Sequence, residues 1–389
     1  MIVQKLEFTK LLNLSWVTLM DNQSISIGIV GDFCLSGYES NSVEEIKKEL
    51  EKVSFLNKTR DLTIANLEFC ITPKNKYMGS MSLPAEKCQG ISDSGFSLFC
   101  LANNHIKDYG EKSMLFTRDF LNNKGIQTVG VGTNFQTAIK PIYFSIKEKK
   151  IAVINVTDAT HYQATSNSGG VAPLNKNRLL KQVIVSAEEA DITIVVIHSD
   201  LEFTNFPAPW RVKLSRKLVD NGGDLVVHHH SHTLQGIEYY KGALIAYSLG
   251  NFIFPIHKSS YMQGREGKVD EGGYLAVTID FRNEIKTATS HEMMPTIIDE
   301  KGDFQVASGQ QEKTVLNSIE EYSLQLENMK KLEYLYFQRC KHEMKSFLLG
   351  VYYALRKNGI SSARKYFFHH LTTAQHTNWV RGFFSLGKL

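Results

Sequence analysis

Between Ile25 and Glu202, short β-branched runs alternate with segments whose apolar residues recur every three or four positions, the pattern of a layered α/β fold. The runs cover residues 26–30, 62–67, 96–101, 126–130, 151–156 and 192–198. After the first of them Ser42 and Glu45 have the spacing of a capping box, and Val43, Ile46, Leu50 and Val53 follow at helical spacing. Pro209 opens a further helix with Trp210, Leu214 and Leu218 on one face, leading into a strand at 224–227. The texture then changes to hairpins. Residues 238–240 and 243–247 flank Lys241-Gly242, and residues 274–281 and 285–294 flank Arg282-Asn283. Consecutive antiparallel strands there predict a second sheet packed on the first. A stretch with Gly and Asp at 299–303 separates a helical, aromatic and basic end. The chain thus reads as a lead-in over residues 1–24, a main domain over 25–300 and an extension over 301–389.

Composition leaves that picture intact and removes alternatives. With 389 residues, 42% of them hydrophobic, the chain can bury a large core, which excludes global disorder. A formal charge of +4 is too slight to imply nucleic-acid binding, which relies on clustered cations. No basic stretch with interleaved aromatics lies near the polar motifs described next, so nucleic acid is not an expected partner. The five cysteines, Cys34, Cys70, Cys88, Cys100 and Cys340, are odd in number and lack paired spacing, which argues against a disulfide framework and fits a reducing compartment. An apolar stretch at 11–20 lacks the basic flank and cleavage site of a signal peptide and reads as a docked strand or helix. No run approaches the roughly 20 apolar residues that cross a bilayer. A cytoplasmic protein is expected, soluble or attached to a membrane only at its surface.

Chemistry concentrates where hydrophobic runs stop, the place where layered α/β folds bind ligands. Gly31-Asp32 follows the first run and Asn66-Leu67-Glu68 ends the second. Ala102-Asn103-Asn104-His105, with Asp108 and Gly110, follows the third; His198 and Glu202 follow the run at 192–198, and His228 to His232 follow the strand at 224–227. Each Asp alone is explained by a turn or a cap. Turns have no use for imidazole, however, and metal sites do. Two residues apart, His230 and His232 would project to one side of an extended segment and serve two neighbouring ions. A solvated His-rich loop is the other reading of that stretch.

These residues, together with Gly130-x-Gly132-x-Asn134 and Tyr247-Ser248-Leu249-Gly250-Asn251-Phe252, resemble in order the motifs of the CapA family of capsule and poly-γ-glutamate biosynthesis proteins, within the calcineurin-like metallophosphoesterase superfamily. The resemblance covers residues 25–254. It implies an αββα sandwich of two packed mixed sheets with flanking helices over 25–300, followed by a C-terminal helical extension. It also implies two divalent metal ions, Mn, Fe or Zn, with Asp32 and His232 on one, Asn104, His198 and His230 on the other, and Glu68 bridging. His105 would be the catalytic proton donor or a contact to the transition state. Asp108 would hold the His105 ring or start the next helix, and Asn251 would orient a metal-bound imidazole or serve structure alone. Glu202 is a further candidate beside the ligands. Cys34 stands where ordinary metallophosphoesterases carry a ligand histidine, and would either bind the first ion as a thiolate or lie buried in the core. The chain departs from the family at Ser199-Asp200, where Trp-Gly is usual, and at His228, where Gly is usual. Asp200 would raise a neighbouring imidazole's pKa, alter substrate shape or sit in solvent.

Such a site hydrolyses phosphate esters, or amides, by lowering the pKa of bridging water. The function implied is a metal-dependent hydrolase of capsule or poly-γ-glutamate-type polymer biosynthesis, acting on a phosphorylated or acidic polymer-related substrate. The rival reading is a non-catalytic metal-binding assembly factor that binds acidic polymer or recruits capsule synthase subunits. The basic aromatic end is either a peripheral contact with an anionic partner, a membrane surface or an acidic polymer, or a helical cap whose aromatics are core.

Overall fold

The computed structural model describes residues 24–386, other than 39, 74–80, 264, 266, 283–284, 301 and 372–373. The expected lead-in therefore lies outside the described residues up to position 23. In chain order the strands of the two main sheets are β1 (Ser24–Phe33), β2 (Leu62–Leu67), β3 (Leu98–Cys100), β4 (Gln127–Val129), β5 (Ile142–Ile146), β6 (Lys149–Thr157), β7 (Ile192–His198), β8 (Leu225–His229), β9 (Ile237–Tyr240), β10 (Ala243–Ala246), β11 (Asn251–Ile253), β12 (Glu271–Arg282), β13 (Ile285–Ile298) and β14 (Phe304–Val306). The first sheet runs β14-β13-β12-β1-β2-β3-β4, with β11 parallel to the end of β1. The second runs β9-β10-β8-β7-β6-β5. Both are mixed: β1 to β4 are parallel to one another, as are β6, β7, β8 and β10, and antiparallel hairpins close every edge except that of β4.

Period-two alternation explains the layers. Leu62 and Ile64 of β2 lie between the sheets, with Val153, Ile194, Val196, Leu225 and Val227 of the second sheet. Ala65 and Leu67, of opposite parity, pack with Ile46, Leu50 and Met114 from α1 (Val43–Asn57) and α2 (Gly110–Asn123). On the far side Val195, Ile197 and Val226 meet Leu179, Val183, Leu214 and Leu218 from α3 (Lys176–Glu189) and α4 (Pro209–Asp220). The result is the expected αββα sandwich with three interior seams and a C-terminal set of helices. The α1 cap forms as the spacing predicts, with Ser42 Oγ accepting from the Glu45 amide and the Glu45 carboxylate accepting from the Ser42 amide at 2.7 Å.

The first sheet continues past the Asp299–Asp303 turn, because β14 pairs with β13. Beyond it come α5 (Gly309–Gln325), α6 (Met329–Leu371) and α7 (Ala374–Leu386). Leu332 of α6 joins the outer seam of the second sheet, while Tyr336, Cys340, Phe347 and Trp379 bury themselves with Leu201 and Ala208. Gly359, at φ 77°, breaks α6 into two arms. All five cysteines are buried and outside any disulfide. Among the described residues no helix is long and apolar enough to cross a membrane.

Candidate metal centre

The inter-sheet stripe becomes polar as it reaches the carboxyl ends of the parallel strands. On β2 the inward series Leu62, Ile64 continues to Asn66 and then Glu68; on β7 Ile192, Ile194, Val196 continues to His198; on β8 Leu225, Val227 continues to His229. On β1 the inward series is Ile25, Ile27, Ile29, and a register shift against β2 between Ile29 and Asp32 brings the even-numbered Asp32 opposite Asn66. Asp32 also lies opposite Asn251 of β11. Its amide donates to the Gly250 carbonyl at 2.9 Å. That close crossing needs Gly31, since a Cβ there would lie 2.2 Å from the Gly250 oxygen.

The polar groups converge. Asn66 Nδ2 donates to Asp32 Oδ1 at 2.8 Å, and the His230 amide donates to Asp32 Oδ2 at 3.3 Å. His229 Nδ1 lies 3.2 Å from Asp32 Oδ1, and His232 Nδ1 lies 3.4 Å from Oδ2. Glu68 Oε1 is 3.7 Å from both His198 Nε2 and His232 Nε2, and 4.0 Å from His105 Nε2. Asn104 Oδ1 is 2.7 Å from His198 Nε2, and the His198 and His230 rings lie 4.7 Å apart. Asn251 Oδ1 sits 2.9 Å from His232 Nδ1, which turns Nε2 of that ring toward Glu68. Three sets each bring one ligand atom per residue within 4.8 Å of the others: Asp32, Glu68 and His232; Glu68, His198 and His230; Glu202, His230 and His232.

His230 and His232 reach this cluster differently from the sequence expectation. An extended segment does not carry them, because β8 ends at His229 and the two residues take φ of 93° and 56°. A tight left-handed loop aims the rings, at a backbone cost of roughly 1–3 kcal/mol per residue. Asp200 and Phe203, after the other histidine strand, share the feature at φ 93° and 58°.

The donor set fits cations. Both carboxylate oxygens of Glu68, Nε2 of His229 and Nδ1 of His230 are buried without a hydrogen-bond partner. A buried carboxylate without a partner is expensive, and a cation supplies what the protein withholds. Burial, then the neighbouring Asp32 and Glu202 carboxylates, push the Glu68 carboxyl well above its ordinary range. Burial also raises Asp32, but the His229 hydrogen bond and the histidines around it outweigh that and hold it well below the carboxylate range. Burial pushes His198 well below the usual histidine value and His230 down to about 4, so both rings stay neutral, the form that ligates.

A cavity of about 630 Å³ opens beside the cluster, reached by Asn104, His105, Glu202 and His232 and walled by Phe254 and Tyr261. His105 Nδ1 is 2.8 Å from Asp108 Oδ2, and Tyr162 donates to the other Asp108 oxygen at 2.8 Å. The Tyr261 hydroxyl donates to Glu202. Burial raises Glu202, but His230 and His232 pull its carboxyl below the usual range. Cys34 lies in the apolar core of the first sheet and belongs to none of the three ligand sets.

Residues at the departures are buried behind the site. Asp200 accepts from the Ala208 amide at 2.9 Å and from Tyr336 of α6 at 3.0 Å, with Arg211 Nη1 3.5 Å away. Arg211 Nε donates to His228 Nδ1 at 3.1 Å, and Ser215 Oγ lies 2.7 Å from His228 Nε2. Of the three outcomes expected for Asp200, exposure to solvent is therefore wrong: α4 and α6 cover it. His229, unassigned from sequence, sits against Asp32 instead; the alternation Leu225, Val227, His229 carried that signal, just as it sends His228 to the helix side.

Parallel strands of two packed sheets, ending together on carboxylates and imidazoles, define an αββα sandwich with a candidate cation site at one end. The family described as bacterial capsule synthesis protein PGA_cap matches residues 26–256, and the chain belongs to that family. It is 30% identical over 249 residues to a capsule biosynthesis protein CapA of Bacillus anthracis, covering 60% of this chain and 61% of that one. It is 29% identical over 240 residues to the PGA biosynthesis protein CapA of Bacillus subtilis, covering 59% and 63%. The chain thus spans less than two thirds of the length of these curated relatives. Among solved structures it is similar to the calcineurin-like phosphoesterase YfkN of Bacillus subtilis, at TM-score 0.43 and 16% identity over 80% of this chain and 98% of that one. A phosphatase of Mycoplasma pneumoniae has TM-score 0.45 at 15% identity, covering 72% and 96%.

Proposed function

We propose that this chain is a two-metal hydrolase acting on a phosphate ester, or on an amide, during assembly of a capsule or poly-γ-glutamate-type surface polymer. The observation that carries the reading is Glu68: a fully buried carboxylate with neither oxygen hydrogen-bonded, ringed by the imidazoles of His105, His198 and His232. Asp32, Glu68 and His232 would hold one ion, and Glu68, Asn104, His198 and His230 the other. A pair of divalent ions, Mn, Fe or Zn, supplies an acidified water and charge stabilisation to a phosphoryl oxygen. Asn66 and Asn251 fix the Asp32 carboxylate and the His232 ring. His105 faces the cavity with Nδ1 held by Asp108, which leaves Nε2 to donate a proton to the departing oxygen. Tyr162 keeps Asp108 in place for that transfer.

The purified chain should contain two metal equivalents by elemental analysis and cleave an aryl phosphate when Mn²⁺ is supplied. His105→Ala should keep the metal and lose roughly 10²–10⁴-fold in rate, whereas Asp32→Ala should lose metal and rate together. Metal-free wild type, or rates equal in all three proteins, would overturn the reading. The substitutions that favour an assembly factor, Ser199, Asp200 and His228, are buried and do not line the cavity, so they leave the catalytic reading intact.

A further inference from the structure

We infer that the hairpin formed by the two arms of α6 is a docking surface for an anionic lipid membrane. Gly359 reverses the helix, and the second arm folds back so that the Phe347 ring lies 5.5 Å from Phe367 and 6.3 Å from Tyr366. Trp379 of α7 closes on Phe347 at 5.6 Å. The base of the hairpin is therefore packed, and its tip is not. Tyr352, Tyr353, Leu355 and Ile360 stand out around the turn, Ile360 with 79% of its surface in solvent. Arg356, Lys357, Arg364 and Lys365 are exposed around the same turn. After Glu343 the chain has seven Lys or Arg residues and no Asp or Glu, so no carboxylate of this segment neutralises them.

Charge and bulk together select the occupant. Exposed aromatic and branched side chains interspersed with unneutralised cations are the composition of surfaces that seat in the interface of an anionic bilayer, the cations at the headgroups and the rings between them. A second copy would bring two positive tips together. A hydrophilic polyanion would satisfy the cations and leave Ile360 and the tyrosines in water. The inference does not depend on the hydrolase reading.

Flotation of the full-length protein with vesicles tests it. Vesicles containing phosphatidylglycerol should carry the protein at least tenfold more strongly than phosphatidylcholine alone, and 0.5 M salt should release most of it. Ile360→Asp with Tyr353→Asp, and separately Arg356→Glu with Lys357→Glu, should each reduce binding tenfold or more while circular dichroism and metal content stay unchanged. Equal binding to both vesicle types, no binding to either, or vesicle binding untouched by both double variants would overturn the inference. So would a micromolar dimer dispersed by Ile360→Asp, or poly-glutamate that binds the tip as tightly as the vesicles do.

Discussion

If the two-metal reading holds, a single buried charge, Glu68, ties stability to cation binding. Its carboxyl is pushed up because burial and neighbouring carboxylates oppose ionisation, so once ionised without a cation it is a strained charge. Glu68→Gln should raise the melting temperature of chelator-treated protein by a few degrees, about 1–2 kcal/mol, while metal content falls; calorimetry beside elemental analysis reads both. His228 works in the opposite pH direction from a buried carboxyl. Burial and Arg211 keep its ring neutral and its folded-state proton affinity well below the ordinary histidine value. As pH falls through about 6.5 the unfolded chain takes up the proton first, so this contribution is intact above that pH and is lost below it. Thermal unfolding in excess chelator should show stability falling with acidification, and His228→Gln should flatten the slope by up to about 1.4 kcal/mol per pH unit. Sequence disclosed the residue types here but not their neighbours. His105 and Asp108 were legible as a pair three apart, whereas the Asp200–Tyr336 contact joins positions that no local spacing connects.

At the level of elements, what was readable depended on burial from both sides. The central strands β1, β2, β7 and β8 are apolar runs enclosed by two layers, and their β-branched text announces them. Strand β5 is an edge, with Ile142, Tyr143 and Phe144 only half-buried, and gave no comparable run. Helix α3 was hidden by Val183-Ile184-Val185, which reads as strand; only Val183 is buried, at helical spacing from Leu179 and Ser186, and Asn175 caps the start. The crossing of β1 over the Gly250 turn could not be read at all, since it joins residues more than two hundred positions apart. Gly31 is its signature. Gly31→Ala would force apart the Leu249 and Gly250 carbonyls, so it should cost roughly 2–4 kcal/mol by overpacking and backbone displacement. Metal binding should fall with it, as titration of the refolded variant with Mn²⁺ would report.

For the molecule as a whole, α6 and α7 are seated on the sandwich rather than trailing from it. Leu332 enters the outer seam of the second sheet, and Tyr336 reaches Asp200, two residues from His198. Removing everything after Ser308 should therefore eliminate the cooperative thermal transition, read by calorimetry, and not merely detach an appendage. The six groups at the centre of the cluster come half from each sheet: Asp32, Glu68 and Asn104 from the first, His198, His230 and His232 from the second. Both ligand sets that include Glu68 draw on the two sheets, so the paired site does not exist while the halves are still apart. Under the two-metal reading a cation would act as a latch on a finished product. Refolding rates should be indifferent to added Mn²⁺, and escape from the native state should slow in proportion to occupancy, so that the ion governs how long the protein lasts and has no say in how quickly it is made.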